Sequence, residues 1–241
     1  MSYHLGTPMR AVSEYGLPDL LGTPKLIVLP SPRVLSQPAW DGLLAAVERG
    51  AVLLVTGVID SDEHWWPVPR TAGLGLEVSA RPVAPEETLT IDGTAYQLSY
   101  RGEKLERVEA SVAGGEGGAR VHVVARGRGR IVWAPLPVEL AEQTDATVAL
   151  YRLALREAQV VPLCTTDNPD PSVLVLPAVF GGRMLFTIVS ESSVDKEVRF
   201  MPAGTQSRVS VKLPAQRAVL LWVDRATGKV IGQSKTVGSR Q

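Results

Sequence analysis

The stretch KLIVLPSPRVLSQPAWDGLLAAVERGAVLLVTG (Lys25–Gly57) decides the fold. Its first part, KLIVLP, is a short apolar run without alternation, closed by prolines, and reads as a strand buried on both faces. Ser36 suits an N-cap and Pro38 falls in the first helical turn. Trp40, Leu43, Leu44 and Val47 then recur at i, i+3, i+4 and i+7, which makes one apolar helix face. Gly50 ends that helix, and AVLLVTG (Ala51–Gly57) is a second buried strand. Strand, helix and strand with short connections predict a βαβ unit with parallel strands.

The residues just beyond Gly57 raise the functional question. The run IDSDEHWWP (Ile59–Pro67) packs acids, a histidine and two tryptophans into the carboxyl end of a strand. In open α/β sheets that end is where ligands bind. Asp60, Asp62, Glu63 and His64 crowd together too tightly to wrap one ion, and the glycine of a calcium loop is missing, so no metal is expected. The plain alternative is a solvated acidic loop. Trp65 and Trp66 have three readings: stacking on a sugar ring, burial in an interface, or packing over the domain's own core. Asp62 and His64 join them as candidate binding or interface residues.

Beyond Pro67 the pattern changes. GLEVSAR, ETLTIDGTAYQLSY and ERVEASV alternate as strands do, with turn signals at Asp92-Gly93 and Gly114-Gly115. They predict an insertion of short antiparallel strands. ARVHVVARGRGRIVWAPLP reads as two strands about a turn at Arg126–Arg130, whose three arginines could face an anion or only solvent. Val138–Gln159 is expected to be a second helix, with Val148, Tyr151, Leu155 and Ala158 on one face. Glu139 and Glu142 sit near its start, where the helix dipole accounts for acids. Val160–Ser172, rich in proline and turn residues, reads as a linker. The remainder is a series of short alternating strands, expected to form a small all-β sandwich. The expected domains are therefore 1–163 and 164–241. Trp133 and Trp222, each in an apolar strand, are expected in cores.

Composition limits what this chain can do. Its 241 residues carry 25 Lys+Arg and 25 Asp+Glu, so there is no basic field for a nucleic-acid backbone. No run reaches the roughly 18 apolar residues that would cross a membrane as a helix. MSYHLGTPMR has no apolar core and is not a signal peptide. A complete chain would be cytoplasmic; otherwise this is a piece of a longer precursor. Only about 24 residues precede the first strand, and they do not make a βα unit, so the α/β sheet is expected to lack its opening part. The single cysteine, Cys164, allows no internal disulfide, and His4, His64 and His122 show no zinc spacing. GGEGG (Gly114–Gly118) lacks the Lys-Ser/Thr of a phosphate loop. Glu191 and Asp195 fall in an expected hairpin turn rather than in a catalytic pair.

KLIVLPSPRVLS, the helix ending VERG, AVLLVTG, and ARGRGRIVWAPLPVELAEQTDATVALYRLAL together resemble the class I glutamine-amidotransferase-like domain of multidomain glycoside hydrolases. That domain is best known as the β-galactosidase trimerisation domain. The resemblance covers Lys25–Pro162, and the tail is more loosely similar to the C-terminal β domain that often comes after it. It implies an α/β flavodoxin-like fold with no cofactor. It also implies a catalytic (β/α)8 barrel upstream, which would need about 250 residues of its own. The chain would then be a non-catalytic accessory or oligomerisation module, its partners itself or that barrel. A carbohydrate-binding module using Trp65 and Trp66 or the β tail is the alternative. In active amidotransferases the corresponding strand leads to a cysteine nucleophile served by a downstream histidine. Here Thr56 stands at that position as a degenerate nucleophile, and His122, mid-strand with no acid two residues on, makes no His-x-Glu pair.

Overall fold

The computed structural model describes residues 5–17, 21–76, 78–101, 109–113, 119–167 and 170–234. The chain forms two compact units: Ala11–Val160, and Met1–Arg10 together with Val161–Gln241. Strand dominates throughout.

In the first unit, β1 (Leu26–Leu29), α1 (Gln37–Glu48) and β2 (Val52–Thr56) make the expected βαβ unit. β1 and β2 run parallel, Leu26 beside Val52. Pro38 lies in the first turn of α1; Ser36 stands at the N-cap without a side-chain hydrogen bond. Trp40, Leu43 and Val47 are buried along one face, as their spacing requires. A short helical turn, α2 (Arg70–Gly73), comes next in the chain. Two small sheets lie beyond it. β3 (Val78–Pro82) pairs antiparallel with β6 (Glu109–Ala113), while β4 (Glu86–Ile91) and β5 (Thr94–Ser99) form a hairpin. Its turn is Asp92-Gly93, both at positive φ (51° and 81°), the geometry of the tight turn that matches strand twist. β7 (Ala119–Arg120) joins β4 in parallel, so the insertion is not wholly antiparallel as expected. Gly114-Gly115 and the GGEGG run lie outside the described residues.

The hairpin β8 (His122–Arg126) and β9 (Gly129–Ala134) returns to the main sheet, where β9 lies parallel to β2. The order is β1-β2-β9-β8. Among the described residues three of these strands are parallel, so the structure carries the flavodoxin-like expectation no further than this core. β1 is half-buried at a sheet edge rather than fully buried. β2 is buried at every residue. Leu53 and Val55 join Trp40, Leu43, Val47, Ile131 and Trp133 in one core, while α3 (Asp145–Glu157) also packs against β2 and the β4–β5 hairpin.

The second expected helix is shorter than its pattern suggested. Val138–Leu140 is a single 3-10 turn, and α3 begins only at Asp145. Two contacts with β5 account for the break. Glu142 N donates to Ser99 O (2.9 Å), and Gln143 Oε1 accepts from Ser99 N (2.7 Å). Leu150, outside the expected face, is fully buried, and Val148 only half-buried.

The second unit is a sandwich of two antiparallel sheets. One is β10 (Cys164–Thr166), β13 (Lys196–Pro202) and β14 (Val209–Leu213), in the order β10-β13-β14. The other is β11 (Val173–Phe180), β12 (Arg183–Ser190), β15 (Ala218–Asp224) and β16 (Val230–Gln233), in that order. Phe186 of one sheet meets Phe200 of the other with ring centroids 4.6 Å apart. β10 lies inside the stretch read as a linker: Cys164 is buried in the sandwich core, and Leu163 N donates to Gly6 O (2.7 Å). A Cβ on Gly6 would stand 2.2 Å from Cys164 O, so glycine is required there. Trp222, expected in the core, instead faces outward at 36% exposure.

Trp40→Ala should lower unfolding free energy by about 3–5 kcal/mol, the usual cost of deleting a buried aromatic. Urea melts followed by circular dichroism check this; an unchanged midpoint would remove Trp40 from the core.

Candidate functional site

The carboxyl ends of β1, β2 and β9 converge on a cluster of hydroxyls around one carboxylate. Thr56, the last residue of β2, has no exposed surface. Its Oγ1 donates to Glu139 Oε2 (2.6 Å) and accepts from Ser31 N (2.9 Å). Ser31 Oγ donates to the same Glu139 oxygen (2.9 Å), and Tyr151 OH from α3 donates to Glu139 Oε1 (3.1 Å). Burial, followed by the charge and hydrogen bond of Glu139, pushes the Tyr151 phenol well above its usual range. Ser31 holds a left-handed backbone (φ 45°), which brings both its N–H and its hydroxyl onto Thr56 and Glu139. Such strain in a non-glycine residue persists only where the surroundings enforce it.

This arrangement bears directly on nucleophilic chemistry. Thr56 does meet an acceptor, but its oxygen is sealed, and the acceptor already takes three hydroxyl donors. A nucleophile must reach a substrate carbon, and a fully buried hydroxyl cannot. Gly57 (φ 75°) closes the turn, with its N–H on Ala134 O (2.8 Å). His122 lies in β8 with its ring 5.6 Å from that of Trp133, and burial, with Arg120 second, lowers its pKa. Burial pushes the Cys164 thiol up to about 12, which keeps it protonated and unreactive.

Glu139 is the residue that sequence reasoning missed. A helix dipole accounts for an acid at a helix start, but Glu139 sits in the 3-10 turn ahead of the helix. The signal that could have found it is position: it lies a few residues after the third parallel strand, through Pro135-Leu136-Pro137.

The second feature is the loop after β2. Asp60 Oδ1 and Oδ2 accept from Thr71 N (2.8 Å) and Thr71 Oγ1 (2.5 Å), tying the loop to α2. Asp62 Oδ1 accepts from the N–H groups of His64 (2.9 Å) and Trp66 (2.8 Å). The two aspartates thus serve different parts of the backbone instead of converging. Arg70, almost fully buried, donates to the carbonyls of Leu35 (2.6 Å), Ser61 (2.8 Å) and Ile59 (3.0 Å) and lies over the Trp40 ring. Nothing in the sequence marked it as the loop's anchor.

So held, the loop turns both tryptophans outward: Trp65 is 61% and Trp66 71% exposed. Packing over the domain's own core is therefore excluded. Trp65 sits at φ 65°, and the Arg33 guanidinium lies 5.5 Å from its ring centroid. Of the hairpin arginines, Arg126 pairs with Glu48 (3.1 Å) and Arg130 with Glu157, while both side chains keep solvent-exposed surface. Asp195 Oδ1 accepts from Ala215 N (2.9 Å), a turn contact.

No family model matches the chain and no curated protein matches it in sequence. Solved structures do resemble it in fold. A β-galactosidase from Bacillus circulans sp. alkalophilus aligns with a TM-score of 0.61 and 14% identity, over 86% of this chain and 34% of its own. The GH42 β-galactosidase Gan42B from G. stearothermophilus aligns at 0.60 and 14%, over 83% and 32%. A β-galactosidase from the Antarctic haloarchaeon Halorubrum lacusprofundi aligns at 0.59 and 16%, over 88% and 33%. The chain spans about a third of the length of these proteins.

Glu139→Ala should cost about 1–3 kcal/mol of stability, because it removes the shared acceptor of the Thr56, Ser31 and Tyr151 hydroxyls. Glu139→Gln, whose amide oxygen still accepts, should cost less. Chemical denaturation of the two variants tests the order, and equal losses would contradict the hydrogen-bond account.

Proposed function

We propose that this chain is a non-catalytic accessory module of a glycoside-hydrolase-like protein, serving assembly and active-site shaping. The observation that carries this reading is the fold likeness, which runs over more than four-fifths of the chain but about a third of each β-galactosidase. The sealed Thr56 supports it. The place where an amidotransferase-like domain would hold its nucleophile is filled here by a closed hydrogen-bond network. On this reading Ala11–Val160 forms an amidotransferase-like, flavodoxin-related α/β domain, in place of the expected 1–163, and Val161–Gln241 with Met1–Arg10 forms the β-sandwich domain. The remaining part of the parent hydrolase is the partner, and the Trp65–Trp66 loop is the contact. Exposed adjacent tryptophans on a tightly bonded loop favour a docking role, since rigid aromatics lose little freedom when buried.

A second reading has its own support. Trp65, flat and backed by Arg33, also suits the face of a sugar ring. A titration with β-galactosides separates the two: a shift in tryptophan fluorescence at about millimolar sugar, lost in Trp65→Ser/Trp66→Ser, would favour sugar binding.

The chain should show no turnover on chromogenic glycosides or on glutamine. Hydrolysis abolished by Thr56→Val or Glu139→Gln, with the variant still folded, would overturn the non-catalytic reading. The double tryptophan variant should keep its melting temperature while losing association with the hydrolase's catalytic portion.

A further inference from the structure

The three-stranded sheet of the β-sandwich ends in an open strand, β14, whose bonding groups follow from the register. In an antiparallel ladder a residue turns its N–H and C=O to one side, and its chain neighbours turn theirs to the other. Asp167 N donates to Arg199 O (3.1 Å), and Ala203 N to Leu163 O (2.8 Å), so Arg199 bonds toward β10. Val198 and Phe200 therefore bond toward β14, to Val211 and Val209, and Arg199 stands opposite Ser210 without bonding it. The N–H and C=O groups of Arg208, Ser210 and Lys212 then point off the free edge of β14. Among the described residues no strand lies beyond that edge.

A groove of about 580 Å³ runs along this edge, lined by residues 207–210 on one side and 228–230 on the other. The far side belongs to β16, the edge of the four-stranded sheet, where a register shift at Trp222 and Val223 interrupts the pairing. Irregularities of this kind blunt an edge against further strands, which leaves β14 as the acceptor. The charges around it are basic. Arg208 is exposed, its pairing with Asp167 is long (3.9 Å), and Lys229 is exposed across the groove. The neighbouring acids are already engaged: Glu197 accepts from Arg199 and Ser210 (2.7 Å each), and Asp224 from Thr227. Basic residues on an edge deter most strands, and by the same electrostatics they admit an acidic one.

We infer that β14 accepts an extended acidic segment of a partner protein, which adds to the sheet as an antiparallel fourth strand. The register fixes the pattern of that segment. Residues opposite Arg208 and Lys212 lie on the outward face and are acidic, four positions apart. The two residues that alternate with them turn inward and are apolar, because they cover Val209 and Val211 at the margin of the core, near Val230, which is 45% exposed. The motif is acid, apolar, small polar, apolar, acid. This chain does not contain it: Glu191 and Asp195 are its only acids four residues apart, and Ser192 stands where the first apolar residue belongs. A second copy therefore does not supply the strand, and the occupant is a different protein. The inference concerns a surface apart from the tryptophan loop and does not rest on the accessory-module reading.

Surface plasmon resonance over the immobilised full chain tests it, with the capped peptide Gly-Glu-Val-Thr-Val-Glu-Gly as the probe. The peptide should bind with a Kd of about 100 µM or tighter. Methylating the amide nitrogen of its threonine, which removes the donor facing Ser210 O, should weaken binding at least tenfold. Arg208→Glu and Lys212→Glu should each do the same with unchanged circular dichroism spectra. If one of them fails to fold, the other decides. The double variant Trp65→Ser/Trp66→Ser should bind the peptide as the wild type does. No response at about 1 mM peptide would overturn the inference, as would equal binding of the methylated peptide or of a folded charge variant. Loss of binding in the double tryptophan variant would overturn it by moving the contact to the loop, while leaving the accessory-module reading standing. Displacement of the peptide by polygalacturonate at equal carboxylate concentration would also overturn it, by reducing the edge to a groove for any anion.

Discussion

A strand buried on both faces is the constraint on which the first unit depends. β2 has α1 packed against it, and α3 also packs against it, so none of its five side chains reaches water. Each buried valine or leucine there contributes about 1.5–3 kcal/mol, which is why the run has no polar alternation. The same burial creates a problem at the strand's end. Thr56 carries a hydroxyl into a place without solvent, and a buried polar group without a partner is costly. Glu139, Ser31 and the left-handed turn at Ser31 answer that need. The unwound segment before α3 belongs to the same solution, because a helix starting at Val138 would leave the carboxylate and the β5 contacts unmade.

The second constraint is anchoring of the loop beyond β2. Arg70 directs its hydrogen bonds to three backbone carbonyls, and its burial lowers its pKa against the pull of Asp60. Asp60 ties the loop to α2, and Asp62 folds the tip on itself. Acids that look like a solvated run, or like ion ligands, are thus used on backbone N–H groups. The consequence is a stiff projection carrying two tryptophans. In the β-sandwich the corresponding logic is repetition: one periodicity builds both sheets, but the outward positions are mainly polar on the three-stranded sheet and mainly apolar on the four-stranded one.

Much of this was legible beforehand. The βαβ core, the Trp40 face of α1, the Asp92-Gly93 hairpin and the late strands all arise from periods and turn residues that act within a few positions of one another. The misreadings share a cause. Trp222 lies in an apolar strand, and an apolar strand cannot reveal which of its faces a second sheet will cover. Cys164 lies among prolines, yet pairing with β13 makes its segment a strand. Glu139 satisfied a local explanation that its tertiary position did not require.

Local chemistry by itself determined the βαβ core, the hairpin turns and the late strands, and that the strand after α1 would be buried. It also showed that no cysteine–histidine nucleophile stands at that strand's end. Such features depend on backbone propensity and side-chain period, which neighbouring residues decide. Only the tertiary structure decided that Thr56 is sealed by a glutamate 83 positions away, that the two tryptophans face outward, and that one sandwich face is apolar. Those outcomes depend on which surfaces distant segments bring together, and no short stretch of sequence encodes that.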